Sequence, residues 1–338
     1  MSIKVLGIDL AKNVFQLHGI DQKGHTILQK KLSRRNLSEF IATLPECTIF
    51  MEACSSANYW SRRFESFGHT VKLISPQYVK PYVKYHKNDK NDAAAIVEAG
   101  TRPSMNFVPR KSIEQQDIQC LHRIRSRLVK NRTSLINQIR GLLSEYGIIA
   151  AQGLCNIRRR LPEILEDASN ELTPIGQALF TDLYDQLVHI DKKITDYEER
   201  LNHIFKHNET CQRLAQIEGI GLLTATAIVS TVGDAKVFKN GRHFAAFLGL
   251  VPRQHSSGNQ HRLLGISKHG DTYLRTLLVH GARSALRVAH KKMDARNRWA
   301  VDIRARRGEN IACVALANKQ ARTVWALLAK GESYRRVA

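Results

Sequence analysis

Three predicted strands decide the fold, and they lie in residues 4–32, KVLGIDLAKNVFQLHGIDQKGHTILQKKL. Lys4–Leu10, Val14–Gly19 and His25–Leu32 are rich in the residue types that favour β-structure. The turns between these segments are too short for a crossover helix, which a parallel pair would need. The chain therefore opens with an antiparallel meander.

The next elements alternate between helix and strand. Apolar spacing predicts helices at Asn36–Leu44 and Asn58–Phe67 and buried strands at Thr48–Met51 and Thr70–Ile74. Three antiparallel strands followed by helix, strand, helix, strand and helix is the order of the ribonuclease H-like α/β fold. We therefore expect that fold in a first domain, residues 1–110.

Two long helices are predicted for the middle region, residues 111–209. Leucines recur every seven residues in Ser112–Tyr146, and apolar residues alternate three and four positions apart in Ile175–Phe205. Such spacing is typical of a coiled coil, formed either within one chain or between chains. The connecting stretch, which contains Arg158–Arg160 and Pro162, is predicted to be polar and poor in helix.

The last region, residues 210–338, is predicted to be a mostly α-helical domain. An apolar helix ends near Val232, and a Gly-rich, basic loop is expected over Val251–Gly270. Two further helices, Thr272–Ala289 and Ile311–Leu328, follow this loop.

The charge balance indicates a polyanionic partner. Lys and Arg number 52 against 30 Asp and Glu, a formal net charge of +22, and such a field attracts nucleic acid. A protein that is merely basic is the alternative. None of the six cysteines forms a C-x-x-C pair, which argues against a zinc site and fits a reducing cytosol. The sequence shows no signal peptide and no apolar run near ~18 residues, so we expect a cytoplasmic protein without membrane segments.

Four acids form the strongest chemical signal: Asp9, Glu52, Asp89 and Asp92. Asp9 lies inside an apolar strand, where a charge is costly unless a cation or a donor accompanies it. Glu52 ends a strand that neighbours the first strand in a ribonuclease H-like sheet, and Asp89 and Asp92 share one face of a predicted helix. Converging carboxylates of this kind suit Mg²⁺ or Mn²⁺ and phosphodiester exchange. The alternative is a set of ordinary charges at a strand end and a helix start.

Aromatic and basic residues alternate just before the last two acids. This interleaving suits a nucleic-acid groove, and packed tyrosines beside solvated lysines are the equal alternative. The residues are Tyr78, Lys80, Tyr82, Lys84, Tyr85, Lys87 and Lys90.

A glycine turn at Gly219 and Gly221, followed by Ala225, is similar to a helix-hairpin-helix element. In that element backbone N–H groups bind a DNA phosphate without reading the sequence. The alternative is a glycine turn between two packed helices.

A Ser-Gly pair at Ser257 lies in the basic loop. Cations around a serine favour its alkoxide and bind the phosphate that it attacks, although Ser-Ser-Gly is also common in plain loops. The surrounding candidates are Arg253, His255, His261, Arg262, Lys268 and His269.

Four motifs together resemble the DEDD-type insertion-sequence transposases, which are recombinases guided by a bridge RNA. They are GIDLAK at 7–12, MEA at 51–53, KNDKNDA at 87–93, and the stretch 248–270. The resemblance covers nearly the whole chain, with the four motifs in the same order.

The resemblance implies a RuvC-like first domain, a coiled-coil middle and a C-terminal transposase domain that acts on donor and target DNA. It implies that Asp9, Glu52, Asp89 and Asp92 hold the metal ions. It also implies that Ser257, or Ser256 by a shift of register, forms a 5′-phosphoserine link to DNA. In the family, carboxylates of one subunit and the serine of another build the site, so the resemblance implies a homo-oligomer, a dimer or a tetramer, at the prokaryotic nucleoid.

Other functions remain open at this stage. A RuvC-like endonuclease would use the same four acids and a water nucleophile, leaving Ser257 idle. A non-enzymatic nucleic-acid-binding protein would not need the acids. An actin-like ATPase also opens with a Gly-Ile-Asp strand, but Ala11-Lys12-Asn13 offers no glycine loop for phosphates.

Overall fold

The computed structural model describes residues 2–83, 89–258 and 260–335, apart from the side chains of Asp89, Lys90 and His261. The chain divides into two compact units. The first comprises Met1–Ile113 with Val232–Val237, and the second comprises Glu114–Thr231 with Phe238–Ala338. A division into three domains near residues 110 and 209 stays a prediction.

The first unit is a mixed α/β domain around a six-stranded sheet, β3-β2-β1-β4-β5-β6. β1, β2 and β3 are antiparallel, β4 and β5 run parallel to β1, and β6 is antiparallel to β5. This confirms the predicted opening meander and the alternation that follows it. The strands are β1 (Val5–Asp9), β2 (Val14–Ile20), β3 (Thr26–Ser33), β4 (Thr48–Glu52), β5 (Thr70–Ile74) and β6 (Phe107–Val108).

Helices cover both faces of this sheet. The helices are α1 (Arg34–Ala42), α2 (Ala57–Glu65), α3 (Pro76–Val79) and α4 (Asp89–Gly100), with a 3₁₀ turn at Lys80–Tyr82. Leu6 and Ile8 of β1 belong to one core, with Trp60 and Phe64 of α2. The opposite core holds Phe50 of β4 together with residues of α4. β1 is therefore buried on both sides, which explains its nearly continuous apolar sequence.

The second unit is mostly helical. Its helices are α5 (Ile113–Ser144), α6 (Leu154–Glu166), α7 (Pro174–Lys206), α8 (Glu209–Ala215), α9 (Leu222–Thr231), α10 (Gly241–Phe247), α11 (Thr272–Ala289), α12 (Ala295–Arg307) and α13 (Glu309–Lys330). A two-stranded ribbon, β7 (Pro252–Ser257) and β8 (Gln260–Ile266), joins α10 to α11.

The two long helices, α5 and α7, lie antiparallel within one chain. Arg125 pairs with Glu198 and Arg132 pairs with Asp191, so positions seven residues apart on α5 meet positions seven apart on α7 in the reverse order. Apolar residues of α7 seven positions apart, Phe180, Leu187, Ile194 and Leu201, are buried. On α5, the last of the leucines that recur every seven residues is Leu142, which is exposed, whereas its neighbour Leu143 is buried.

The prediction of a helix-poor stretch between these helices was wrong, because Arg158–Arg160 and Pro162 lie in α6. Ile157, Leu161 and Ile164 form a buried stripe on α6, and this stripe joins the core between α5 and α7. Burial of one apolar face therefore outweighs the arginines and the backbone hydrogen bond that Pro162 cannot make.

The prediction of a loop over Val251–Gly270 was also wrong, since most of this stretch forms the ribbon of β7 and β8. Every β7 residue is exposed, so no apolar alternation marks the strand in the sequence. Sequence analysis also missed α12, whose charged sequence buries few residues, Asn297 and Ala300 among them. Within the described residues, no helix combines the length and the apolar character that crossing a membrane requires.

Candidate active site

Asp9 and Glu52 end neighbouring parallel strands at the same edge of the sheet. Ile8 pairs with Met51 in the β1–β4 register, so the next residue on each strand is an acid. Strands in a sheet lie about 5 Å apart, and residues at matching positions face the same side. The fold therefore brings two predicted catalytic carboxylates together.

Both carboxylates belong to the face of the sheet that α4 covers. A Cβ on Gly7 would lie 2.6 Å from the carbonyl oxygen of Ala93, so α4 touches β1 closely there. Asp9 follows Gly7 by two residues and shares its face. Asp92 immediately precedes Ala93, in the first turns of α4. The backbone of α4 also confirms the predicted helix at Asp89, whose side chain lies outside the described residues.

The charges of the two acids affect the pKa of a nearby cysteine, Cys54, which sequence analysis did not single out. Burial, followed by the charges of Glu52 and then Asp9, raises the pKa of the Cys54 thiol to about 11. Cys54 is half-buried, and its Sγ donates to the carbonyl oxygen of Ser55. The only sequence signal was its position two residues after Glu52.

The donor chemistry of this edge fits a hard divalent cation. Asp9 and Glu52 supply oxygen ligands of the kind that Mg²⁺ and Mn²⁺ prefer. Among side chains that the structure describes, no three Asp, Glu, His or Cys groups form a ready-made metal cluster. Asp9, Glu52 and Asp92 are therefore not brought together as one three-ligand cluster, and the side chain of Asp89 lies outside the described residues.

Ser257 lies at the end of β7, where the ribbon turns. His255 pairs with Arg262 and Ser257 pairs with Gln260, so strand alternation puts Ser257 on the face that carries His255 and Arg262. Ser256 lies on the other face with Gln254 and Leu263, and its Oγ accepts a hydrogen bond of 3.0 Å from Gln254. The two adjacent serines therefore have different surroundings.

Of the residues predicted to contact nucleic acid, some are exposed, one packs against a core, and some lie outside the described residues. Arg253, Arg262 and Lys268 are exposed on or beside the ribbon, and Lys80 is exposed beside α3. Tyr82 packs against the core of the first unit, with the Arg102 guanidinium 5.8 Å from its ring centre, as in the alternative of inward-packed tyrosines. Lys84 and Lys87 lie outside the described residues.

The glycine turn before α9 serves helix packing. Gly219 has a φ of +87°, and a Cβ there would lie 2.4 Å from the carbonyl oxygen of Gly281 in α11. This matches the alternative of a glycine turn between packed helices. Gly221 is exposed at the start of α9, and a phosphate contact at either glycine stays a prediction.

Two family models match the chain. One, a DEDD model described as Transposase, matches residues 6–148, and another, described as Transposase IS116/IS110/IS902 family, matches residues 211–298. The first covers β1, β4 and α4, and the second covers the ribbon with Ser257.

Similar proteins span almost the full length of the chain. The transposase for insertion sequence element IS1111A of Coxiella burnetii is 51% identical over 333 residues, 98% of this chain and 92% of that protein. A probable family 20 transposase of Pseudomonas aeruginosa is 48% identical over 99% of both chains. The transposase for insertion sequence element IS1328 of Yersinia enterocolitica is 40% identical over 98% of both.

Proposed function

Because this chain belongs to the IS116/IS110/IS902 family of insertion-sequence transposases, which cleave and recombine DNA, we propose that it exchanges DNA strands through a serine–DNA intermediate. The observation that carries this proposal is the ribbon register, which puts Ser257 on the same face as the Arg262 guanidinium and His255. A bridge RNA as the guide is proposed on the resemblance of the four sequence motifs.

The covalent step is a transesterification at phosphorus. The Ser257 oxygen forms a bond to the phosphorus, and the bond between the phosphorus and the 3′ oxygen breaks. The serine hydroxyl loses its proton, and the departing 3′ oxygen gains one and becomes a 3′ hydroxyl. One P–O ester bond replaces another, so the energy of the phosphodiester bond is conserved in the serine–DNA link for the later rejoining step. A nearby Arg262 guanidinium would bind the phosphate and stabilise its developing charge.

Asp9 and Glu52, with Asp92 and Asp89 from α4, are the residues that would hold Mg²⁺ or Mn²⁺. A divalent ion bound there would neutralise the negative charge that builds up during phosphodiester exchange. Without such a cation, the adjacent carboxylates repel both one another and a DNA phosphate.

The complete site is proposed to combine copies of the chain. Asp9 and Glu52 belong to the first unit and Ser257 belongs to the second. We propose that carboxylates and serine come from different subunits of a dimer or tetramer. A prokaryotic, cytoplasmic location with the nucleoid is part of this proposal.

The serine step is tested by trapping the protein on cleaved DNA. The substrate is built from the sequences that flank its own gene, with RNA transcribed from the same region, and the adduct is digested to find the residue that carries the nucleotide. We expect the adduct on Ser257, its loss in Ser257→Ala, and its persistence in the matched Ser256→Ala. Cleavage by Ser257→Ala without an adduct would instead indicate the water-using endonuclease.

The metal site is tested through Cys54, without reference to activity. Mg²⁺ should neutralise the neighbouring acids, lower the pKa of the thiol and accelerate its alkylation, as measured by peptide mass spectrometry. Asp9→Asn should abolish this metal effect, and the exposed Cys155 of α6 serves as the internal control. An identical Cys54 rate with and without Mg²⁺ would contradict a metal at this edge.

A further inference from the structure

A cleft of about 280 Å³ lies in the second unit, between α5, α9 and the first turn of α11. One row of α5 supplies Arg123, Ser126, Arg127 and Lys130, which follow one another at helical spacing. α9 supplies Ser230 and Thr231, and α11 supplies Tyr273. The cleft therefore combines three cations with several hydroxyl groups.

The cations of this row differ from their neighbours on α5. Arg125 and Arg132 form ion pairs with Glu198 and Asp191 of α7. Across the described parts of the chain, Arg123, Arg127 and Lys130 form no ion pair, and the structure shows all three exposed. Like charges at such spacing repel each other on a helix, and a bound anion would remove that repulsion.

A directed chain of hydrogen bonds fixes the wall of the cleft. Thr226 Oγ1 donates to the carbonyl oxygen of Leu222 at 2.8 Å, so it must accept the 3.0 Å bond from His122 Nε2. The other nitrogen of a neutral imidazole is an acceptor, and the Tyr273 hydroxyl donates to His122 Nδ1 at 3.0 Å. His122 therefore adds no charge, and the cationic character of the cleft comes from α5.

The one acidic residue that lines the cleft, Asp271, already accepts a hydrogen bond from the backbone. Asp271 caps α11, and its Oδ1 accepts a hydrogen bond of 2.8 Å from the Leu274 amide. Asp271 also follows the end of β8 at Ile266 by only five residues. The cleft is thus continuous in sequence with the ribbon that carries Ser257.

We propose that this cleft binds a backbone phosphate of the nucleic acid on which the ribbon acts. The inference rests on the proposed function and adds a phosphate-binding site to it. Three cations against one carboxylate favour a phosphodiester group over a cation or a neutral ligand. Because DNA and RNA share this group, the test includes both.

The first test removes charge from the cleft. Arg123→Gln with Arg127→Gln is compared with Arg159→Gln and Arg160→Gln, two exposed arginines of α6 that give the same loss of charge. Binding of fluorescent duplex DNA and of single-stranded RNA is measured over a salt series. We expect the salt slope of log Kd to fall by about 1 to 2 for the cleft variant. The control variant should keep the parental slope.

The outcomes separate the alternatives. A loss confined to the DNA arm assigns the phosphate to DNA, and a loss confined to the RNA arm assigns it to RNA. Equal slopes for both double variants would overturn the inference. If the parent protein binds neither nucleic acid, the proposed function fails as well. If the parent binds and the cleft variant keeps the parental salt slope, the inference alone fails.

The second test adds a charge and leaves the arginines in place. Ser126→Glu inserts a carboxylate between Arg123 and Lys130, whereas Ser134→Glu puts the same charge on an exposed part of α5. We expect about tenfold weaker binding for Ser126→Glu relative to Ser134→Glu. Equal affinities would overturn the inference even if an arginine variant folded poorly.

Discussion

Because Gly7 has no Cβ, α4 can lie close against β1, the strand that carries Asp9. A Cβ at this position would lie 2.6 Å from both Ala93 O and Val97 Cγ2. The first of these atoms belongs to the helix backbone, so the helix itself would have to move. The distance between Asp92 and the strand acids therefore depends on a residue with no functional group.

Gly7→Ala should separate α4 from β1. We expect a loss of stability of about 1–3 kcal/mol from overpacking, together with a larger loss of DNA cleavage because the acids shift. Urea unfolding and a cleavage assay measure the two effects. Gly141→Ala on α5 is the matched control, because nothing lies within 4 Å of its added Cβ, and it should be neutral or slightly stabilising. Equal effects at both glycines would contradict this account.

α5 and α7 lie antiparallel, one of the two arrangements that their periodicity left open. Tyr146, just after α5, packs against Phe180 near the start of α7, with ring centres 6.0 Å apart. Arg125 and Glu198 meet toward the other end of the pair. The two helices are thus partners within one chain. His122 lies near the start of α5 and is 2% exposed.

His122 should make the second unit sensitive to acid. Burial, with a smaller contribution from the Arg125 charge, lowers the pKa of His122 to about 4, compared with ~6.5 in an unfolded chain. Between these values the unfolded state binds the extra proton, so stability is complete above about pH 6.5 and falls as the pH drops toward 4. The expected loss between pH 7 and pH 5 is about 2 kcal/mol.

Hydrogen exchange of α5 amides at pH 7 and pH 5, corrected for intrinsic rates, measures this loss. His122→Gln keeps a neutral side chain at both pH values, so its acid loss should be smaller by about 2 kcal/mol. Equal losses in the two proteins would show that His122 is not the group that titrates.

The net charge of +22 acts at the scale of the whole molecule. Long-range attraction by many lysines and arginines raises affinity for any nucleic acid and does not by itself select a sequence. Binding and catalysis should therefore be separable, since binding depends on many cations and the proposed catalysis on a few carboxylates.

Binding of duplex DNA should weaken by roughly 10³-fold or more between about 50 and 200 mM salt, because Lys and Arg displace counterions from phosphates. Asp9→Asn should lose cleavage and keep this affinity and salt slope. Fluorescence anisotropy across the salt series measures both proteins. A flat response would rule out an interface dominated by phosphate contacts.

The sequence by itself determined the first five strands of the sheet and the position of its two acids, whereas the two-residue strand β6 was not predicted. Alternation along β2, continuous apolar residues in β1 and β4, and short turns are local patterns, and they define the strands and the strand ends that carry Asp9 and Glu52. The long helices were equally visible from their spacing. The family motifs added the expected chemistry.

Only the tertiary structure decided which distant segments meet. The pairing of α5 with α7, the burial of α6 and the His122–Tyr273 contact join residues far apart in sequence, and local periodicity carries no information about partners. The ribbon escaped sequence analysis because neither of its faces is buried, and hydrophobic alternation arises only where one face meets a core. For the same reason, the different faces of Ser256 and Ser257 became visible only with the register of β7 on β8.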